Sequence, residues 1–253
     1  MGRLRPRSRS SSLIPSARSY KTRGIVLRAR PLGEADRIIR LFTTERGKLD
    51  AVAKGVRRAK SHFAGRLEFG NECELQMHRG RSLDVIVNAD IVRAPWERLV
   101  EPERFATAHL AVELVDAFCE PDLAVPDVYA LLSGVLSAIA ASDAPRTLIP
   151  RFSLRLLASL GIEPPVDACI RCGKPFEGDC AWVDPQAGGF ICARCRETWR
   201  DLIELDAGDL RNLAELGAPR GTSRAALLAR PRVTAAIEEI VTHHLGRKPK
   251  AAS

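Results

Sequence analysis

Aromatic side chains make up only 5% of this 253-residue chain, and methionine occurs twice. A protein that grips single strands by stacking bases on rings needs more of them. Any affinity for nucleic acid has to rest chiefly on backbone charge, which argues against sequence-specific recognition. No apolar run reaches the roughly 18 residues that a membrane helix requires, so a transmembrane span is excluded. Histidine is scarce, at five, and none stands beside a cysteine. The H-x-E arrangement of zinc deaminases, the phosphate loop G-x-x-x-x-G-K-[ST] and the nucleophile elbow G-x-S-x-G are all missing. Carboxylates such as Asp36 and Asp50 are scattered along strands and read as surface groups. With no catalytic constellation, the chain reads as a binding protein and not an enzyme. There is no internal repeat.

What is present begins with cysteine. Cys169 and Cys172 form one C-x2-C pair, and Cys192 and Cys195 form another nineteen residues on. Spacing of this kind reads as a zinc site, because two knuckles of two thiolates complete a tetrahedral shell. Four thiolates leave no open position for water or substrate, so the expected role of the Zn2+ is structural. Cys73 and Cys119 lie in apolar-patterned segments and read as buried thiols, while Cys180 does not fit as a fifth ligand. Free thiols beside a metal pattern suit a reducing cytosol.

The formal net charge of +8 is unevenly divided. Residues 1–93 hold 21 Lys/Arg against 9 Asp/Glu, and the remainder holds 18 against 22. One end of the chain therefore has the electrostatics of a polyanion binder. Residues 1–19 carry five Arg, several Ser and no acid, which reads as a disordered basic arm. An organellar transit peptide shares that composition, and the want of an apolar core of signal-peptide length argues against secretion. The basic tail, 246–253, is expected to fray.

Five short strands are expected within a domain spanning 20–93. The clearest is the fourth, where Cys73, Leu75 and Met77 alternate with polar neighbours. In the third, Leu49, Ala51 and Ala53 alternate likewise, and in the fifth Leu83, Val85, Val87, Ala89 and Ile91 are expected to share one face. Five strands without intervening helical periods point to a small closed barrel, the OB-fold above all. The segment from Lys54 to Arg66 is bounded by glycines, holds five Lys/Arg and carries Phe63. Such a loop can lay cations along phosphates. Phe63 either stacks on a base or plugs the barrel. The candidate DNA contacts are Lys21, Arg23, Arg37, Arg40, Lys48, Lys54, Arg57, Arg58, Lys60, Phe63 and Arg66.

After Pro95 the period becomes helical, giving a domain over 94–245. Pro102 opens a helix whose stripe is Phe105, Ala108, Val112, Val115 and Cys119. Further helices are expected at 126–141, 148–160 (with Gly161 as stop), 207–216, 223–229 and 232–245, and a zinc module at 166–200 lies among them. His109 reads as a packed or surface residue. The fold class is thus α+β: an OB-fold barrel, then an all-α domain with an embedded four-cysteine zinc ribbon.

The run Gly24-Ile25-Val26-Leu27, Gly33-Glu34-Ala35-Asp36-Arg37-Ile38, Leu41-Phe42-Thr43-Thr44-Glu45-Arg46-Gly47-Lys48 and Ala53-Lys54-Gly55-Val56-Arg57-Arg58 resembles the RecO family of bacterial DNA-repair proteins. The likeness continues through Glu101-Pro102-Glu103-Arg104 and the cysteine pairs, covering about residues 20 to 245. The resemblance implies a cytoplasmic, nucleoid-associated protein that binds single- and double-stranded DNA and anneals complementary strands. It implies RecR as partner, loading of the RecA recombinase, and a groove for the acidic C-terminal tail of single-strand-binding protein (SSB). Arg151 and Arg155 are the residues that could hold that tail. The long arm at 1–19 departs from the family's compact starts. The rival is a zinc-ribbon and OB-fold scaffold of transcription or translation acting on RNA.

Overall fold

The computed structural model describes residues 18–176, 180–196, 202–218 and 228–249. Most of the basic arm, residues 223–227 of the helix expected at 223–229 and the end of the tail lie outside them.

Strands β1 (Ser19–Leu32), β2 (Asp36–Thr43), β3 (Gly47–Ala53), β4 (Glu72–His78) and β5 (Asp84–Arg93) form a closed barrel in the order β1-β2-β3-β5-β4. All pairings are antiparallel except the parallel contact between β3 and β5. This is the OB-like sheet that the periodicity predicts. Inward side chains alternate as a strand's two-residue period requires: Leu49, Ala51 and Ala53 on β3 meet Cys73, Leu75 and Met77 on β4. Phe63 and Leu67, from the connection between β3 and β4, complete this core.

On β5 the expected face is wrong. Gln76 pairs with Asn88 and Met77 with Ile86, so Val87 is bulged out of register. An extra residue in one strand transfers the residues after it to the other face. Ile86 and Ala89 consequently both point inward and Val87 is 47% exposed, while Ile91, opposite Cys73 and on the same side of the register as Ala89, is left 47% exposed near the end of the strand.

The barrel's seam is incomplete as sheet. β3 meets β5 only from Ala51 to Ala53. Lower down, the chain between the next two long helices fills the gap, with Lys48 bridged to Pro121 and the Asp122 N–H donating to the Lys48 carbonyl at 2.9 Å. Gly47, at φ +60°, is required there: a Cβ would lie 1.8 Å from the Leu123 carbonyl oxygen.

The helical part consists of α1 (Trp96–Leu99), α2 (Pro102–Phe118), α3 (Pro126–Ala141), α4 (Ile149–Ser159), α5 (Ala207–Gly217) and α6 (Pro231–Leu245). Proline occupies the first turn of α2, α3, α4 and α6, where its missing N–H costs nothing. Asp206 and Asp209 form a capping box on α5. Gly161 follows α4 at φ +71°, as a stop signal should. On α2, Ala108, Val112 and Val115 are buried with Cys119 just beyond, but Phe105 is 38% exposed. The tail is tied down where described: Gly246 caps α6 in the left-handed conformation, Arg247 pairs with Glu113 at 2.7 Å, and Pro249 is buried. Composition alone could not supply that acid, which comes from the distant helix α2.

Barrel and helices share one core. Ile25, Leu27 and Phe42 on the barrel's outer surface belong to the same apolar cluster as α2, α3, α4 and α6, and Phe42 stacks on Tyr129 with centroids 6.2 Å apart. Glu72, 5% exposed, accepts hydrogen bonds from Tyr129 and Ser133 of α3, with the Arg93 guanidinium 3.7 Å away. Its paired carboxylate fixes where barrel and helix meet, since an unpaired one could not remain buried.

Strands β6 (Cys180–Asp184), β7 (Gly189–Ile191) and β8 (Glu204–Asp206) make a three-stranded sheet in the order β7-β6-β8. Alternation along β6 gives each face a different neighbour: Ala181 and Val183 join the helical core, and Trp182 packs with the cysteines.

Candidate nucleic-acid interface and metal centre

The metal centre is built by two turns aimed at each other. The sulfurs of Cys169, Cys172, Cys192 and Cys195 all lie within 4.8 Å of one another, and Cys172 and Cys192 are 3.9 Å apart. That is close to the edge of a tetrahedron with metal–sulfur distances of about 2.3 Å. It is far longer than a disulfide bond of about 2.05 Å. Burial works against the Cys169 thiolate, yet backbone N–H groups of Cys192, Cys172 and Arg171 hold the thiol down to about 6. Burial and hydrogen bonding to the other three thiols push Cys195 up to about 12. Four sulfurs this close resist full ionisation on their own, and a divalent cation relieves that conflict. The donor set therefore fits a metal ion. Cys180 stands outside the group.

The centre is braced from behind. Arg171, within the first knuckle, holds the buried Asp184 at 2.6 and 2.7 Å, and Asp184 also accepts from the N–H groups of Gln186 and Ala187. Arg196 lies over the Trp182 ring at 4.8 Å.

The candidate DNA contacts fall into three groups. Lys54, Arg57, Arg58 and Lys60 lie on the connection after β3, and all four are exposed. This connection is pinned to the β1–β2 turn: the Arg57 N–H donates to the Ala35 carbonyl, the Arg57 guanidinium to the Gly33 carbonyl, and the Gly55 N–H to Asp36. Lys54, Arg58 and Lys60 have no carboxylate partner among the described residues. Arg37 joins this end of the barrel, 3.9 Å from Glu68. Arg28 and Arg30, which sequence reasoning passed over, stand 59% and 60% exposed on the same hairpin, with Asp116 3.9 Å from Arg28 and Asp50 3.7 Å from Arg30. Two arginines alternating with Ala29 and Pro31 at a strand end were the available signal.

A second group is separate. Lys21 and Arg23 precede the helix-covered stretch of β1 at Ile25 and Leu27, whereas Arg28 and Arg30 follow it, so one continuous track does not join them. Arg23 also pairs with Glu74 at 2.9 Å, and Arg66 with Asp90 and the Ala89 carbonyl.

The third group belongs to the fold. Arg40 donates to Asp50 and to Asp116 of α2, and it holds the Asp50 carboxyl below its ordinary value. Lys48, 12% exposed, binds the Asp116 carbonyl and carboxylate. Phe63 is 2% exposed and plugs the barrel, leaving no face for a base. Arg151 is likewise engaged, donating to the carbonyls of Leu216 and Ala218 where α5 runs out of partners of its own. Arg155 is half-buried.

An apolar groove of about 400 Å³ lies between α2, α4 and α6, floored by Leu110, Leu114, Ile149 and Ile237, with Arg146 and Lys248 at its edge.

The family profile described as Recombination protein O N terminal matches residues 18–95, and its C-terminal counterpart matches 100–252. The chain belongs to the RecO family. DNA repair protein RecO of a Nocardioides species is 37% identical over 181 residues, covering 70% of this chain and 74% of that one. The Frankia casuarinae protein of the same name is 36% identical over 201 residues, 78% and 81% of the two chains. That of Bifidobacterium adolescentis is 37% identical over 193 residues, 74% and 78%. Among the described residues of this RecO-family protein, no helix is long and apolar enough to cross a membrane.

Proposed function

We propose that this RecO-family chain is a recombination mediator that binds DNA through the tip of its barrel and has no catalytic centre of its own. The observation that carries the reading is the group of cations around the Gly33 turn, several exposed and without a carboxylate partner. Lys54, Arg57, Arg58 and Lys60, with Arg28, Arg30 and Arg37, form the phosphate-binding surface. Arg28, Arg30 and Arg37 have carboxylates only at 3.7 to 3.9 Å, whereas Lys21, Arg23 and Arg66 contribute less, being remote or more closely paired. Contacts of this kind take single- and double-stranded DNA without reading sequence. Drawing complementary strands onto one basic surface lowers their repulsion, a route to annealing that needs no nucleotide hydrolysis.

RecR is the partner in loading RecA. The groove between α2, α4 and α6 receives the acidic, apolar tail of SSB, with Arg146 and Lys248 in the role first given to Arg151 and Arg155. The metal is zinc. Held by Cys169, Cys172, Cys192 and Cys195, it supplies a cross-link between two turns and no reaction, and it operates in the bacterial cytoplasm at the nucleoid.

The test is a salt titration of DNA binding. Arg57→Ala with Arg58→Ala should weaken binding to all sequences alike and reduce the salt slope by about two. An unchanged slope would acquit this loop. Preferential displacement of DNA by RNA of equal length would turn the reading towards an RNA scaffold.

A further inference from the structure

The free end of the β1–β2–β3 surface has an unusual make-up for a strand-binding barrel. Register places Arg28 opposite Arg40 and Arg30 opposite Ile38 on β2. Ile38 in turn lies opposite Val52 on β3, and Val52 opposite Val85 on β5. Because alternate residues share a face, Arg28, Arg30 and the 40%-exposed Leu32 stand beside a half-buried aliphatic stripe of Ile38, Val52 and Val85. Arg28 and Arg30 are two residues apart, about 6.6 Å along the strand, on the order of the separation between successive phosphates of an extended chain.

No phenylalanine or tyrosine ring of the barrel is free to receive a base, and the exposed His62 imidazole is packed on Phe63 at 3.8 Å with its Nε2 3.3 Å from the Val87 carbonyl. Phe42 is covered by Tyr129, and Phe63 is buried. Phe69 stacks on His109 at 4.0 Å. Tyr20 is hydrogen-bonded through its hydroxyl to Asp84 and flanked by the guanidinium groups of Arg46 and Arg79 at 5.8 and 5.5 Å. Single-strand binders that sequester bases do so on aromatic platforms. Here the surface offers aliphatic carbon for the apolar side of the sugar and, for phosphate, Arg28 and Arg30, which stay 59% and 60% exposed beside Asp116 at 3.9 Å and Asp50 at 3.7 Å.

We infer that this surface holds a strand by its sugar–phosphate backbone and turns the bases outward, where they are open to pairing. The inference rests on the DNA-binding reading above and adds the orientation of the bound strand. It makes annealing compatible with tight binding: a second strand pairs with presented bases without first displacing protein from them.

Permanganate reactivity of a thymine-rich single strand tests it, with saturation by the full-length protein verified by anisotropy in the same sample. Thymines should stay as reactive as in the free strand. Absence of binding overturns the DNA reading and the inference with it, whereas binding with protected thymines overturns the inference alone. Arginine planes can also stack on bases, and a second variant separates that case. Arg28→Lys with Arg30→Lys keeps point charges for phosphate but removes the stacking plane, so affinity should hold to within roughly threefold with the salt slope unchanged. A tenfold or larger loss at constant slope, on the order of one stacked base, would overturn base-outward binding.

Discussion

The connection from Lys54 to Arg66 and the two cysteine knuckles are both short, arginine-bearing segments mounted on small sheets, yet their cations do different things. Around the barrel tip, Lys54, Arg58 and Lys60 reach solvent without a carboxylate partner among the described residues, and Arg57 only leans on a backbone carbonyl. In the ribbon, Arg171 clamps the buried Asp184 and Arg196 covers Trp182. Arg171 therefore has its anion in Asp184 before any polyanion arrives. Density of arginine in a sequence is thus a poor guide to charge that a partner can use. What counts is whether the fold has already supplied the counter-ion.

The largest effect that would sharpen this contrast comes from the ribbon. Cys169→Ser should abolish stoichiometric metal binding, and structural zinc sites are worth roughly 10–16 kcal/mol apparent near neutral pH. Residues 166–196 should become protease-sensitive while intrinsic DNA affinity changes little. A variant that keeps a protected ribbon without metal, or one that loses DNA affinity in step with it, would break the division of labour.

Next comes the junction. Phe42→Ala removes a fully buried ring shared by barrel and helices, at a cost of about 3–5 kcal/mol. Because the core is shared, urea should still unfold barrel and helices in one transition, shifted to lower concentration. Two separated transitions would show them to be independent units.

The smallest effect probes the cations engaged within the fold. Asp50→Asn leaves Arg40 with one carboxylate in place of two, costing about 1.5–3 kcal/mol, the range for hydrogen bonds to charged groups. The sign with pH follows from the depressed carboxyl of Asp50. Its contribution is fully present above the ordinary aspartate value and is lost as pH falls through the lower folded value. The stability gap between wild type and variant, measured by urea denaturation, should therefore close in acid and stay constant near neutrality.

Local chemistry was legible and long-range pairing was not. The β4 alternation and the cysteine spacing each lie within a few residues, and the structure has both. The β5 face was misread because Val85, Val87, Ala89 and Ile91 alternate on paper, and only the partner strand reveals the bulge at Val87. Arg40 and Lys48 looked like their exposed neighbours because their acid, Asp116, is tens of residues away on another element. Arg151 is claimed by a helix end that no periodicity places near it. Arg28 and Arg30 are harder to single out than the loop after β3, where cations are denser and glycines mark both ends.

The gap that Pro121 to Leu123 fill beside β3 also bears on how the protein is made. A ribosome delivers β1 to β5 first, and at that moment the slot between β3 and β5 has no occupant. It exposes an unpaired strand edge, the kind that invites association between nascent chains. Some thirty residues separate the end of β5 from Pro121, so the barrel stays unsealed until α2 has been synthesised. A gene fragment that stops at residue 93 would hold the molecule in that state for good.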